Sequence, residues 1–316
     1  MPKARLFALC ALFLSVALSS GAIRAADRPP WPTPPTVPDV PPPDPPVLAA
    51  AGDIADCQGN DYLTAALLDG VFPPGAPPGQ GVVAALGDNA YNVGSIQDYR
   101  HCYKPTWGFH KERTYPVPGN HDYTTPGAAG YYEYFGARAG PIGLGYYSYD
   151  LGAWHVLALN SNCVVVHDGC VRGSPQETWL RQDLTAHPAR CTLAYWHHPR
   201  FSTGRTHGDD PGMREIWMTL MEFGVDVVLS AHDHDYERSA PRDQDGHLGN
   251  ARGIRQFVVG TGGHGLYAFG PTVPAVEVRD NSSYGVLKLT LHPESYEWQF
   301  LPATGAFTDL GEAPCH

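Results

Sequence analysis

Short apolar runs that end in a polar loop recur along the chain. "PVLAAAGDIAD", "GVVAALGDNAY" and "TYPVPGNHDY" each predict a buried strand that stops at a loop. "CTLAYWHHP" and "VDVVLSAHDHDYER" repeat this pattern further along. Between these runs, "DYLTAALLDG", "SPQETWLRQDLTAH" and "GMREIWMTLMEFG" have helical spacing. Strands and helices are therefore expected to alternate.

The later part of the chain favours antiparallel strands. "YYSYDLGAWHVLALNS" predicts a hairpin that turns at "DLG", and "RQFVVGTGG", "YGVLKLTLH" and "SYEWQFLP" predict closing strands. The whole pattern predicts an α/β (α+β) fold, with a mixed sheet or two packed sheets between helices. At the helix ends, Gly70 predicts a stop, and Ser174 with Glu177 predicts a capping box around Pro175.

The first 25 residues have the features of a cleaved secretory signal peptide. Lys3 and Arg5 precede the apolar run "LFALCALFLSVAL", which is short for a membrane span, and small residues suited to cleavage follow. An uncleaved anchor is the alternative. No second run of membrane length follows, so we expect a secreted or periplasmic protein with no membrane span after signal removal.

Residues 26–46 predict a linker rather than a packed segment. Eleven prolines occur among the 18 residues 29–46, and proline fixes φ and removes a backbone donor. An extended spacer is therefore favoured over a proline-motif ligand. We expect one catalytic domain over residues 47–316.

Charge and cysteine content narrow the classes of partner. Acidic residues outnumber basic ones by 32 to 21, and cleavage after residue 25 would change the net charge from −11 to −14 by removing three basic residues. Such a chain has no general attraction for nucleic acid, and an anionic substrate would need a local positive centre. Six cysteines follow residue 25, an even number typical of exported proteins with disulfides. Cys163–Cys170 is the expected pair, and Cys57–Cys102 and Cys191–Cys315 would follow by elimination.

Five strand-end loops carry side chains of the types that bind Zn, Fe and Mn. The candidate ligands are Asp53, Asp88, Tyr91, Asn120, His197, His232 and His234. Taken singly, a Gly-Asp loop is more often a turn, Tyr91 is more often a packed aromatic, and "WHHP" could hold surface or core histidines. Five such loops in order along one chain favour a shared metal site.

The segments "GDIAD", "GDNAY", "GNHD", "AYWHHP" and "AHDHDYER" together resemble the calcineurin-like metallophosphoesterase superfamily, and within it the purple acid phosphatases and their bacterial relatives. The resemblance implies a four-layer fold, in which two mixed β-sheets packed between helices hold a dinuclear metal centre at the strand ends. The family usually has Gly where this chain has Ala231. We expect a small shift of that loop with no ligand lost.

The resemblance also implies a role for each ligand. The first metal would be held by Asp53, Asp88, Tyr91 and His234. Asp88 would bridge to a second metal, which would take Asn120, His197 and His232. A phenolate at Tyr91 would favour Fe(III), with Fe, Zn or Mn as the second ion. His198 would face the pocket or solvent.

The reaction implied by the resemblance is hydrolysis of a phosphate monoester by a hydroxide that bridges the two metals. His121 would bind the phosphate and protonate the leaving alkoxide, and Asp122 would orient His121. In "FSTGRTHGDDPG", Arg205 and His207 would contact the phosphate or leaving group, unless they belong to a solvated loop. His264 is a weaker pocket candidate.

Three functions compete at this point. A secreted metallophosphatase acting on a small phosphorylated substrate leads, and a phosphodiesterase or nucleotide hydrolase would use the same ligands. A metal-binding surface protein without catalysis is the third, although the intact ligand set with His121 argues against it. The histidines without motif context, among them His155 and His187, are expected to be structural or surface residues.

Overall fold

The computed structural model describes residues 44–73 and 75–316. The predicted signal peptide, and the predicted linker as far as residue 43, lie outside the described residues. Within them, two mixed β-sheets and five α-helices form the predicted α/β architecture, which is confirmed. None of the helices in this part of the chain combines the length and the apolar character that crossing a membrane requires.

The described chain forms thirteen strands: β1 Val47–Ala51, β2 Gly81–Ala85, β3 Thr114–Pro116, β4 Tyr147–Leu151, β5 Trp154–Ala158, β6 Cys191–Tyr195, β7 Val227–Ser230, β8 Tyr236–Ser239, β9 Arg255–Val259, β10 Val276–Asp280, β11 Gly285–Leu291, β12 Ser295–Pro302 and β13 Leu310–Pro314. The first sheet has the order β13-β12-β11-β1-β2-β3, and the second has the order β10-β8-β9-β7-β6-β5-β4. β1, β2 and β3 are parallel, as are β5, β6, β7 and β9. The remaining pairs are antiparallel, including the predicted β4–β5 hairpin.

The described helices are α1 Asp61–Val71, α2 Ile96–Asp98, α3 Ala129–Phe135, α4 Pro175–Ala186 and α5 Arg214–Glu222. α1 runs through Gly70, so the predicted stop at that glycine is wrong by one residue. α4 has half of the predicted capping box. The Ser174 hydroxyl accepts a hydrogen bond from the Glu177 amide at 3.3 Å, but the Glu177 carboxylate bonds the Gly173 amide instead of that of Ser174.

Two apolar cores explain why these segments fold as they do. The central strands are buried on both faces, as in β1, where Leu48 and the three alanines after it have no exposure. One core lies between strands of both sheets. The other lies between the second sheet and helices α4 and α5, where Trp196 meets Trp217 edge to face. Full burial of one such large side chain contributes about 1.5–3 kcal/mol.

Three disulfides cross-link the described chain. They join Cys57 to Cys102, Cys163 to Cys170, and Cys191 to Cys315, which confirms all three expected pairs. The second closes a seven-residue separation, and the third ties strand β6 to a residue 124 positions later. The loops around the strand ends are thus held covalently as well as by packing.

The carboxyl ends of strands in the two sheets meet at one edge of the molecule. After β1, the Gly52 amide donates to Val259 at the end of β9, and the Asp53 amide donates to Gly87 after β2. After β7, the Ala231 amide donates to the His197 carbonyl after β6. Open α/β folds bind ligands at such strand ends. The polar side chains of these loops are therefore brought together.

Candidate metal centre

Tyr91 lies at the middle of the first group of candidate ligands. Its hydroxyl is 2.9 Å from Asp53 Oδ1, 3.1 Å from Asp88 Oδ2 and 3.3 Å from His234 Nε2. His234 Nε2 is also 3.3 Å from Asp53 Oδ1. All four side chains are almost completely buried. Loops that are far apart in the sequence thus place four donor atoms around one point.

His197 joins the second group to the first. Its Nε2 lies 3.2 Å from Asn120 Oδ1, 3.2 Å from His232 Nδ1 and 3.3 Å from Asp88 Oδ2. Asp88 Oδ2 therefore faces both groups. The structure places Asp88 between them, where the resemblance implied a bridging carboxylate.

Backbone carbonyls orient two of the imidazoles. His197 Nδ1 is 2.9 Å from the Leu86 carbonyl, and His234 Nδ1 is 2.6 Å from the Gly265 carbonyl. A carbonyl can only accept, so each Nδ1 carries the proton and each Nε2 presents a lone pair. This arrangement is how metal-binding histidines are held in known proteins.

The donor chemistry of the two groups fits two metal ions. Tyr91 has one hydroxyl proton but three acceptors in reach, and one proton can serve only one of them well. Ligands at about 2.0–2.2 Å from a metal, at tetrahedral or octahedral angles, lie about 2.8–3.6 Å from one another. The oxygen and imidazole donors suit Fe, Zn and Mn.

The electrostatics of the site follow from burial and close charges. Burial favours the neutral form of Asp53, but the neighbouring His234 outweighs it and lowers the pKa of the carboxyl below its usual range. Burial lowers the pKa of His197, yet Asp88 raises it to about 9 overall. Burial, followed by the charges of Asp53 and Asp88, raises the pKa of Tyr91 well above its usual range. A phenolate at Tyr91 therefore requires a cation beside it.

The backbone of three candidate ligands is left-handed. Asp53, Asp88 and His232 have φ values of 57°, 48° and 71°. Residues with side chains rarely adopt this region, and such residues concentrate at functional sites. Gly119 precedes Asn120 for a different reason. A Cβ there would lie 2.1 Å from Asp88 Oδ1, so only glycine fits.

Ala231 replaces the usual glycine without separating the two histidines that follow it. It is fully buried and lies against Gly52, where an added Cβ would meet the Ala231 Cβ at 2.5 Å. His232 is still held by its amide, which donates to Asp53 Oδ2 at 2.8 Å. The methyl group is accommodated because the facing residue is a glycine.

His121 lies beside the metal groups with one nitrogen free. Its Nδ1 is 2.7 Å from the Asn92 carbonyl, and its amide donates to Asp88 Oδ1 at 2.8 Å. The Nε2 is 4.0 Å from Asp88 Oδ2, and the side chain is 37% exposed. Nε2 can therefore reach a bound substrate.

Asp122 does not orient His121, and that hypothesis is wrong. Its buried carboxylate accepts hydrogen bonds from the Tyr99 hydroxyl at 2.6 Å, the Gly119 amide at 2.9 Å and Asn89 Nδ2 at 3.0 Å. Burial, then Asp88, raises the pKa of Asp122 to about 6. Asn92 supplies the orienting carbonyl, while Asp122 holds the loop from below.

A cavity of about 480 Å³ opens next to the second group. His207 lies there, with its ring stacked on His232 at 3.8 Å between centroids. His198 also lines the cavity and bonds the Ser161 hydroxyl through Nδ1 at 2.8 Å. Arg205, in contrast, lines a separate cavity, so the structure does not bring it to this pocket.

Two further rings support the candidate ligands. Tyr267 stacks on His234 with 3.8 Å between centroids, and His264 stacks on Tyr91 at 3.9 Å. His264 also bonds Asp56, at 3.1 Å. Tyr267 has no motif in the sequence that predicts this contact. The only signal is that both residues follow the glycine-rich end of strand β9.

The sequence model of the calcineurin-like phosphoesterase family matches residues 48–236. The chain belongs to the calcineurin-like phosphoesterase family. Every candidate metal ligand, from Asp53 to His234, lies within the matched region. The expected membership of the superfamily is confirmed.

Relatives of this phosphoesterase include purple acid phosphatases. Purple acid phosphatase 15 of Arabidopsis thaliana is 28% identical over 158 residues, which are 43% of this chain and 29% of that protein. An uncharacterised protein of Mycobacterium tuberculosis is 32% identical over 148 residues, or 40% of this chain and 28% of that protein. The match thus spans less than a third of the length of these curated relatives. Both the relatives and Tyr91 support the purple acid phosphatase-like branch.

Solved structures share the fold of this phosphoesterase. A purple acid phosphatase from yellow lupin (Lupinus luteus) seeds has a TM-score of 0.70 at 16% identity, covering 84% of this chain and 53% of that one. GAP50, described as the anchor in the inner membrane complex of Plasmodium, has a TM-score of 0.65 at 11% identity, covering 86% and 90%. At these identities the likeness concerns the fold alone.

Proposed function

We propose that the chain is a metal-dependent phosphatase that hydrolyses phosphate monoesters at a dinuclear centre. One observation carries the proposal: the single proton of the Tyr91 hydroxyl faces three acceptors from three loops. Membership of the calcineurin-like phosphoesterase family supports hydrolysis of phosphoric esters. A phenolate donor supports the purple acid phosphatase-like branch.

Two groups of side chains would hold the two ions. The first is Asp53, Asp88, Tyr91 and His234, and the second is Asp88, Asn120, His197 and His232. The hard oxygen of Tyr91 favours Fe(III) in the first group, with Fe, Zn or Mn in the second. When bound, the ions would supply positive charge that polarises a phosphate and lowers the pKa of water. This charge answers the need of an acidic protein for a local positive centre.

His121 is the proposed acid and phosphate ligand. Its Nδ1 proton is committed to the Asn92 carbonyl at 2.7 Å, so Nε2 is the atom that meets the substrate. When protonated, Nε2 can donate to a phosphate oxygen and then give its proton to the leaving alkoxide. The Asn92 carbonyl keeps the ring in this orientation.

His207 and His198 are the proposed walls of the substrate pocket. His207 is exposed and covers one face of His232, which leaves its nitrogens free to contact phosphate or leaving group. His198 bonds Ser161 through Nδ1, so its Nε2 is the nitrogen left for a substrate. A small phosphorylated substrate fits a cavity of about 480 Å³.

We propose secretion or a periplasmic location for the mature protein. Three disulfides in the described chain fit an oxidising compartment. The signal-peptide pattern in the first 25 residues fits the same route. The proline-rich residues 26–46 would then separate the cleavage site from the catalytic domain.

Metal analysis combined with visible spectroscopy tests the proposed centre. We expect two ions per chain and a visible phenolate-to-iron charge-transfer band. Tyr91→Phe should abolish the band, because it removes the phenolate oxygen. Tyr267→Phe is the matched control, since Tyr267 stacks on His234 and donates no ligand oxygen to the group. A single ion per chain, or a band that persists in Tyr91→Phe, would contradict the proposal.

Substrate comparison tests the monoester preference. We expect faster turnover of mono-nitrophenyl phosphate than of bis-nitrophenyl phosphate at equal concentrations. Faster turnover of the diester would replace the proposal with a phosphodiesterase acting through the same donors. Loss of both activities in a protein that holds two ions would support a non-catalytic metal-binding protein instead.

A further inference from the structure

A second cavity, of about 370 Å³, lies behind the loop that carries His207. Its lining includes Ser202, Thr203, Arg205, Asp209 and Arg242. Asp209 lines both this cavity and the one beside the metal groups. The loop from residue 202 to residue 209 is thus a wall between two separate spaces.

Arg242 enters this cavity as a buried and unpaired cation. Its side chain is 5% exposed, and its Nε has no hydrogen-bond partner among the residues that the structure describes. The guanidinium lies over the ring of Phe201 at 4.5 Å. Burial lowers the pKa of Arg242 to about 10, against the opposing charges of Glu237 and Asp209. Buried charges are normally paired, so this guanidinium calls for an anionic partner.

The carboxylates near Arg242 are occupied by other groups. Asp209 accepts a hydrogen bond from the Ser202 amide at 2.8 Å. Glu237 accepts from the Thr203 amide at 2.6 Å and from its hydroxyl at 2.8 Å. Neither forms an ion pair with Arg242 in the described part of the chain. They stabilise the wall rather than neutralise the arginine.

Two other arginines add positive charge to the same space. Arg205 is exposed and lines the cavity directly. Arg279 donates to the Thr203 hydroxyl at 3.2 Å and to the Gly270 carbonyl at 3.1 Å, so it lies against the wall. The cavity beside the metal groups has no arginine or lysine in its lining. Positive side chains are therefore concentrated at the second cavity.

We propose that the second cavity binds a small oxyanion such as inorganic phosphate between Arg242 and Arg205. Guanidinium groups form paired, charge-assisted hydrogen bonds with oxyanions, and two of them converge on this space. Arg205 thus contacts an anion at this site instead of the substrate phosphate at the metal centre. The inference stands on residues outside the metal centre and holds whether or not the proposed reaction is correct.

Titration of the metal-loaded protein with inorganic phosphate, followed by calorimetry, tests the proposal. We expect two sites per chain, of which only the one at the metals disappears when a chelator removes them. Arg205→Gln should weaken the other site by about tenfold, since one charge-assisted pair is lost. Arg205 is exposed, so this variant should fold, and Arg242→Gln should have a larger effect.

Arg172→Gln is the matched control, because Arg172 is exposed and lies outside the second cavity. It should leave both affinities unchanged. A single phosphate site that vanishes with the metals would overturn the proposal. So would a second site whose affinity is the same in Arg205→Gln and in the unmodified protein.

Discussion

Two clusters in this molecule combine imidazole with carboxylate, and they differ in how donors and acceptors are matched. In one, His155 Nδ1 lies 2.8 Å from Asp150 Oδ1, and its Nε2 lies 2.8 Å from Asp183 Oδ2. The other oxygen of Asp183 accepts from the Ser148 hydroxyl at 2.8 Å. Each ring nitrogen of the His155 cluster therefore has one carboxylate of its own.

The metal centre has the opposite balance. The one proton of Tyr91 faces three acceptors, and His197 Nε2 faces Asn120, Asp88 and His232 within 3.3 Å. Lone pairs outnumber the protons available to them. A matched cluster ties strands β4 and β5 to helix α4, whereas a surplus of acceptors is stabilised only by cations. The count of protons thus separates a structural histidine from a candidate ligand.

Asp88→Asn should have the largest effect, because Asp88 faces both groups of donors. We expect loss of bound metal and a fall in kcat of about 10⁴-fold or more. Metal content and turnover of mono-nitrophenyl phosphate measure it. The same change in the His155 cluster, Asp183→Asn, should leave kcat unchanged. Retention of both ions and of activity in Asp88→Asn would remove the distinction between the clusters.

His121→Ala should have the next largest effect. We expect kcat to fall by about 100- to 1,000-fold with both ions retained, since the acid is lost and the ligands are intact. His292→Ala is the control, because His292 is a partly exposed histidine bonded to Glu297. Undiminished kcat in a metal-loaded His121→Ala protein would show that the proton comes from another group.

Asp183→Asn should change stability rather than catalysis. We expect the free energy of unfolding to fall by about 1–3 kcal/mol, because the buried His155 Nε2 loses its carboxylate. Denaturant unfolding followed by fluorescence measures it. Asp150→Asn is the matched control, with an effect below about 1 kcal/mol, since the Asp150 side chain is 69% exposed. Equal losses would mean that burial does not set the strength of the two contacts.

Ser161→Ala should have the smallest effect. Its hydroxyl bonds both the amide and Nδ1 of His198, so its loss frees the ring beside the pocket. We expect KM to rise by about threefold, which corresponds to about 0.6 kcal/mol. Ser148→Ala removes a hydroxyl from the His155 cluster and should leave KM unchanged. An unchanged KM in Ser161→Ala would place His198 outside the substrate pocket.

The clustering of the candidate ligands can be predicted from the sequence to a large extent. Each ligand loop follows an apolar run directly, and the ends of neighbouring parallel strands meet at one edge. Asn120 and His121 are examples, since "PG" ends strand β3 and turns the chain toward Asp88. The mixed two-sheet fold follows from the same runs.

The remaining features depend on contacts that local patterns do not show. Asp122 follows His121, but it begins a 3₁₀ turn and its carboxylate faces Tyr99, 23 residues earlier. Arg205 and His207 are two residues apart and line different cavities. Strands β10 and β13 have no fully buried residue, so no apolar run predicts them. Tyr267 meets His234 through a loop that returns only in the folded chain.

The left-handed backbone of Asp53, Asp88 and His232 sets a limit on engineering this protein. Each such conformation costs about 1 kcal/mol or more, and the surrounding fold holds it in place. Screening for heat resistance alone would therefore reward asparagine or glycine at these positions. Such variants would survive heating but lose the chemistry, so a useful thermostable form has to be selected with turnover and melting temperature measured together.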